Sequence, residues 1–80
     1  MDTISAVKNR ILQLCGERNI SVNRLASISA LPPSSVKNIL YGKSQNPKLL
    51  TIQMLCDGLG ITLGEFFSTP EFDALEQEIR

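Results

Sequence analysis

Apolar residues recur at spacings of three and four along the whole chain, and every such stretch is soon cut by glycine, asparagine or proline. No run shows the strict alternation of a strand. Several short helices are the structure that satisfies both facts. A chain of 80 residues is one domain at most. It buries only about 60–65% of the surface it exposes unfolded, so its helices must share one core.

The first helix is expected from Ile4 to Arg18, with Ile4, Val7, Ile11 and Leu14 on one side and Asn19 ending it. A second begins after Ser21, whose hydroxyl can cap free backbone N–H groups. Ile20 and Leu25 have the spacing of a hydrophobic staple. This helix should end near Ser29, with Ala30 and Leu31 turning the chain. Pro32 and Pro33 mark a new start, because the missing N–H of a first-turn proline would have had no partner there anyway. The third helix runs from Pro33 to about Tyr41 and stops at Gly42. Val36, Ile39 and Leu40 form its apolar side, while Ser34, Lys37, Asn38 and Tyr41 form the other.

A polar, basic loop from Lys43 to Lys48 follows. The fourth helix, Leu49 to Leu59, aligns Ile52, Leu55, Cys56 and Leu59 before Gly60. Thr62 and Glu65 match a capping box for a fifth, with Ile61 and Phe66 as its staple. Thr69, Pro70 and Glu71 read as a cap, a first-turn proline and an acid suited to the helix dipole. They start a helix expected to reach the C-terminus, with Phe72, Leu75 and Ile79 on one face. The fold expected is thus all-α: a compact five-helix domain over residues 1–68 and a short acidic C-terminal helix over 69–80.

Composition removes several function classes. Hydrophobic residues at 42% and charged residues at 20% are those of an ordinary soluble globular chain. No apolar run approaches the ~20 residues of a membrane span, and the start shows no secretion signal; a cytoplasmic location is expected. The chain has no histidine, which removes the usual general base and the commonest nitrogen ligand. Cys15 and Cys56 stand far apart, each on an apolar stripe. They read as small hydrophobes, with a disulfide or a redox switch as the alternative. No nucleophile–base pair or metal cluster is evident, so neither an enzyme nor a cofactor, metal or small-molecule substrate is expected.

Net charge is zero, unlike most nucleic-acid binders. The distribution differs from the total. Residues 1–50 carry a net +5, from Lys8, Arg10, Arg18, Arg24, Lys37, Lys43 and Lys48 against Asp2 and Glu17; residues 51–80 carry −5. Such polarity reads as one face for a polyanion and another kept away from it, or as chance segregation. No acid occurs between Glu17 and Asp57, and that gap contains the two short helices and tight turn of a helix-turn-helix. The second of these helices must present a polar, carboxylate-free side to enter a major groove, and the stretch from Pro33 to Tyr41 does.

From about residue 5 to Phe67 the chain resembles the Xre family of Cro/repressor-type helix-turn-helix proteins. Ile20 to Ala26 looks like that family's second helix, and Pro33 to Lys43 like its recognition helix and following glycine. Asn46-Pro47, Thr51-Ile52 and Leu59 to Phe67 resemble its fourth and fifth helices. The resemblance implies a lambda-repressor-like fold that binds double-stranded operator DNA, commonly as a homodimer. Three positions depart from the pattern. Ala30 stands where glycine is frequent, Pro32 replaces the residue that caps the recognition helix, and Cys15 and Leu40 replace a common arginine–glutamate pair.

On the family pattern, Ser34, Lys37 and Asn38 would read base edges, lysine at guanine and asparagine at adenine. The plainer alternative is a solvated helix face. Tyr41, Lys43, Asn46 and Lys48 would contact phosphate and fix register. Ser35 and Ser21 would cap or meet phosphate at helix N-termini, capping being the first reading for Ser21. Arg24 would meet phosphate or pair with Glu17. The segment from Glu71 onward would pack on the domain or join a dimer partner. The function expected is a sequence-specific transcriptional regulator; the alternative is an interaction module, antitoxin-like or adaptor, that keeps the fold without reading DNA.

Overall fold

A computed structural model describes residues 1–79; Arg80 lies outside the described residues. Six helices follow one another: α1 (Thr3–Arg18), α2 (Val22–Ile28), α3 (Pro33–Tyr41), α4 (Leu49–Leu59), α5 (Leu63–Phe67) and α6 (Pro70–Asp73). No strand occurs among the described residues, so the all-α expectation holds.

Local chemistry explains most of the boundaries. Asp2 caps α1 by accepting the Ser5 N–H at 2.9 Å, which moves the start one residue ahead of Ile4. Ser21 accepts the Arg24 N–H at 3.0 Å and opens α2. Thr62 and Glu65 form the anticipated capping box on α5, each side chain meeting the other's backbone N–H at 3.0 Å.

Three helices end in one way. In α1, α2 and α4 the residue after the last turn adopts a left-handed backbone: Asn19 at φ 53°, Ala30 at φ 55° and Gly60 at φ 71°. The next N–H, of Ile20, Leu31 or Ile61, donates back to the carbonyl of Cys15, Ala26 or Cys56 at 2.9–3.1 Å. This is the Schellman arrangement, and it drives the apolar residue after the turn inward. Ile20, Leu31 and Ile61 all pack against the core. Ala30 alone has a side chain poorly suited to that backbone.

The core is built from every long helix. Ile4, Val7, Ile11, Leu14 and Cys15 of α1 meet Leu25 and Ala26, Val36, Ile39 and Leu40, and Ile52, Leu55, Cys56 and Leu59, with Phe66 fully buried. Cys15 and Leu40 both lie inside it as apolar side chains. Both cysteines are free and buried; the disulfide alternative is not realised.

The last helix is shorter than expected. It ends at Asp73, after a single turn, and Thr69 makes no side-chain cap bond. Phe72 alone anchors it, with its ring 4.9 Å from Phe67 and 6.2 Å from Phe66. Leu75 is half-buried and Ile79 is 81% exposed. Without an apolar face to bury, so short a helix has nothing to sustain it.

Candidate nucleic-acid interface

The burial pattern of α3 divides it cleanly. Val36, Ile39 and Leu40 are buried, while Ser34, Lys37, Asn38 and Tyr41 are exposed at i, i+3, i+4 and i+7. That spacing puts the exposed four on one side of the helix. They line one open depression of about 620 Å³ with Ser35 and Gly42. Tyr41 is 68% exposed at its end.

Gly42 matters here through space, not torsion. Its φ of −89° and ψ of −167° are ordinary extended backbone. A Cβ on it would fall 2.7 Å from the Asn38 carbonyl oxygen and against the Asn38 side-chain oxygen. The absence of a side chain at residue 42 leaves Asn38 its place on the exposed face.

A second cleft, of about 330 Å³, lies between α3 and the loop after it. Ser35, Asn38, Asn46 and Lys48 line it, joined by Ser44 and Thr51. The structure therefore brings Ser34, Ser35, Lys37, Asn38 and Tyr41 together, with Asn46 and Lys48 adjoining through Asn38 and Ser35. Lys43 is exposed on the loop but lines neither depression. Ser21 and Arg24 sit apart on α2. Ser21 is occupied as the cap, and Arg24 is exposed with no ion pair to Glu17 among the described residues.

Both helices bordering this region begin without a side-chain cap. Pro32 precedes α3 and Lys48 precedes α4, and neither side chain caps the first turn. The Pro32 carbonyl accepts the Ser35 N–H at 3.0 Å and the Lys48 carbonyl the Ile52 N–H at 3.2 Å. Ser34, Leu49 and Leu50 keep first-turn donors that face solvent or an anion, where helix dipoles favour negative charge.

Two cations of the basic half serve a different purpose. Arg10 donates from Nε to the Phe66 carbonyl and from Nη2 to the Glu65 carbonyl, both at 2.8 Å. Arg18 donates from Nη2 to the Leu59 carbonyl at 3.1 Å. They neutralise the C-terminal ends of α5 and α4, where carbonyls lack helical partners. The surplus around the helix-turn-helix is thus carried by Arg24, Lys37, Lys43 and Lys48. Sequence reasoning missed these arginine roles and the placement of Ser44 and Thr51. Only their polar character marked the latter two, which are half-buried.

With this geometry in view, comparison with known proteins is decisive. A model of the Cro/C1-type helix-turn-helix DNA-binding domain matches residues 10–71. The chain belongs to that family. The crystal structure of the prophage Lp1 protein 11 is similar to this Cro/C1-type domain, with a TM-score of 0.80 and 30% identity over 94% of this chain and 100% of that one. A search of curated proteins found no match. The match covers α2 to α5, so DNA binding is the general function of this Cro/C1-type domain. The family is typically without enzymatic activity. No helix among the described residues is long and apolar enough to cross a membrane.

Proposed function

We propose that the chain is a sequence-specific DNA-binding transcriptional regulator that reads the major groove with α3, acting as a homodimer on a two-fold operator. The observation that carries this reading is the acid-free exposed side of α3, where Ser34, Lys37, Asn38 and Tyr41 stand in line over a buried opposite side. Lys37 and Asn38 supply donors for guanine and adenine edges, and Ser34 a short polar contact beside them. Tyr41, Lys43, Asn46 and Lys48 meet phosphate around the far end of the helix, and Ser35 near its start. Arg24 and the capped N-terminus at Ser21 meet phosphate from α2. Half-sites then lie about one helical turn apart, ~34–36 Å, to match the two-fold axis of the dimer.

The test is selection of duplexes from a random pool, followed by titration of the selected site across a salt series. A shared motif with affinity falling steeply as salt rises supports the reading, because each phosphate contact releases counterions. A folded sample that binds no duplex at about 50 mM salt sinks it. Sedimentation of the free and bound protein tests the dimer, and a monomer on a single half-site would remove that part.

A further inference from the structure

The sequence separates its charges, but the fold partly reunites them. Beyond α6 the chain leaves the helical path at Ala74 and continues through Leu75 to exposed Glu76, Gln77 and Glu78. This segment runs along the amino terminus: Met1 and Asp2 share a cleft of about 300 Å³ with Glu76, Gln77 and Glu78. Glu78 also lines a larger cleft, about 620 Å³, whose other walls are Asp2, Thr3, Ile4, Gln45 and Asn46. Two carboxylates from the ends of the described chain, Asp2 and Glu78, therefore flank the loop between α3 and α4. No acid occurs in that loop's own neighbourhood of the sequence.

We propose that residues 75–79 act as a built-in electrostatic brake on DNA binding, with Glu78 set beside Asn46 at the edge of the interface. This rests on the reading of α3 and its following loop as the DNA face. A phosphate at Asn46 would share this cleft with Glu78, and charges within about one Debye length, ~10 Å at 0.1 M salt, are only partly screened. Asp2 in the same cleft is exposed too and keeps its charge while its carboxylate accepts the Ser5 N–H at 2.9 Å; exposed Glu78 adds a second charge from the other end of the chain. Repulsion from Glu78 falls on any duplex regardless of sequence, since it acts on the backbone. The segment beyond α6 is outside any helix and follows Phe72, which packs on the core, so its displacement would relieve the brake without unfolding the domain.

The decisive comparison is Glu78→Gln against Glu71→Gln in the full chain. Both residues are exposed and both changes remove one negative charge. Glu71 lines a different cleft, with Ala6, Asn9, Arg10, Gln13 and Thr69, away from the α3–α4 loop. Affinity for a mixed-sequence duplex is read by fluorescence anisotropy at about 50 mM and 200 mM salt. Glu78→Gln should tighten binding about threefold at the lower salt, Glu78→Lys about tenfold, and both gains should shrink at the higher salt. Glu71→Gln should change it by less than about 1.5-fold. Equal gains at both positions, or no gain at Glu78, overturn the proposal. If the unmodified chain binds with steep salt dependence and Glu78 is silent, only the brake fails. If neither the chain nor any variant binds duplex, the DNA reading fails with it.

Discussion

Gly58 of α4 and Ser29 at the end of α2 share one small space: a Cβ on Gly58 would be built against the Ser29 hydroxyl and 2.9 Å from the Ile28 carbonyl oxygen. Ser29 is 4% exposed, and its hydroxyl has no hydrogen-bond partner among the described residues. Glycine within a helix normally costs about 1 kcal/mol relative to alanine. Here it is what permits α4 to approach the end of the helix that precedes the turn.

Gly58→Ala should therefore destabilise the domain by about 1–3 kcal/mol through overpacking, the reverse of the propensity expectation. Ser29→Ala should do the opposite, raising stability by about 0.5–1 kcal/mol as an unpaired buried hydroxyl is removed. Urea unfolding of both variants checks the pair. A stabilised Gly58→Ala would show that the two helices have room to spare.

Ala30→Gly should stabilise by about 1 kcal/mol, since only glycine takes the left-handed backbone of the turn without steric penalty. In a domain of this size that corresponds to a rise of roughly 4–8 °C in Tm. Ala30→Val should lower Tm. A calorimetric scan in which Ala30→Gly is neutral would mean the turn relaxes around alanine.

Arg10→Gln should cost about 1–3 kcal/mol, because two carbonyls at the end of α5 lose charged donors. The salt slope of DNA binding should stay as it was. A slope reduced by about 1 would instead place Arg10 on phosphate.

Lys37→Ala and Asn38→Ala should each weaken the preferred site by about 1–3 kcal/mol and relax preference at particular bases. Lys43→Ala and Lys48→Ala should weaken all duplexes alike. Binding profiles across a library of single-base variants separate the two behaviours. Relaxed preference from Lys43→Ala, with none from Asn38→Ala, would move the reading surface off α3.

Stability should fall as pH rises above the usual thiol range. Burial pushes both Cys15 and Cys56 up, with Asp57 adding to the effect at Cys56. Well below about pH 8.5 the thiols are protonated folded or unfolded and contribute no pH dependence. Above it the unfolded chain releases protons that the folded chain retains, so unfolding is favoured until the folded thiols also ionise. Urea midpoints at several pH values from about 7 to 10 should decline, and less steeply in a Cys15→Ala, Cys56→Ala double variant. An unchanged slope would assign the decline to other groups.

Helix positions were legible because their signals are local. Ser21, the Thr62–Glu65 box, Gly60 and Pro33 each act within a few residues, and each marks a boundary in the structure. Ala30 was recognisable as a turn residue of the wrong type for the same reason. The length of α6 was not legible, because a pattern of Phe72, Leu75 and Ile79 says nothing of whether a surface exists to receive it. The exposed side of α3 followed from its period. The cleft joining Glu78 to Asn46 did not, since it depends on where the chain travels after α6. Charge counting along the sequence overstated the basic face: Arg10 and Arg18 look like any other cations until the carbonyls they bind are folded beside them.

Those two arginines also set a condition on the chain during synthesis. Their acceptors lie 41 to 56 residues further along, at Leu59, Glu65 and Phe66. Emerging at about 5–20 residues per second, α2 and α3 are complete well before the carbonyls that Arg10 and Arg18 bind exist. A nascent chain carries α3 with its supporting core still open, and an incomplete product leaves Ile11, Leu14 and Val36 unburied. The fold closes late in translation, when the end of α5 reaches Arg10.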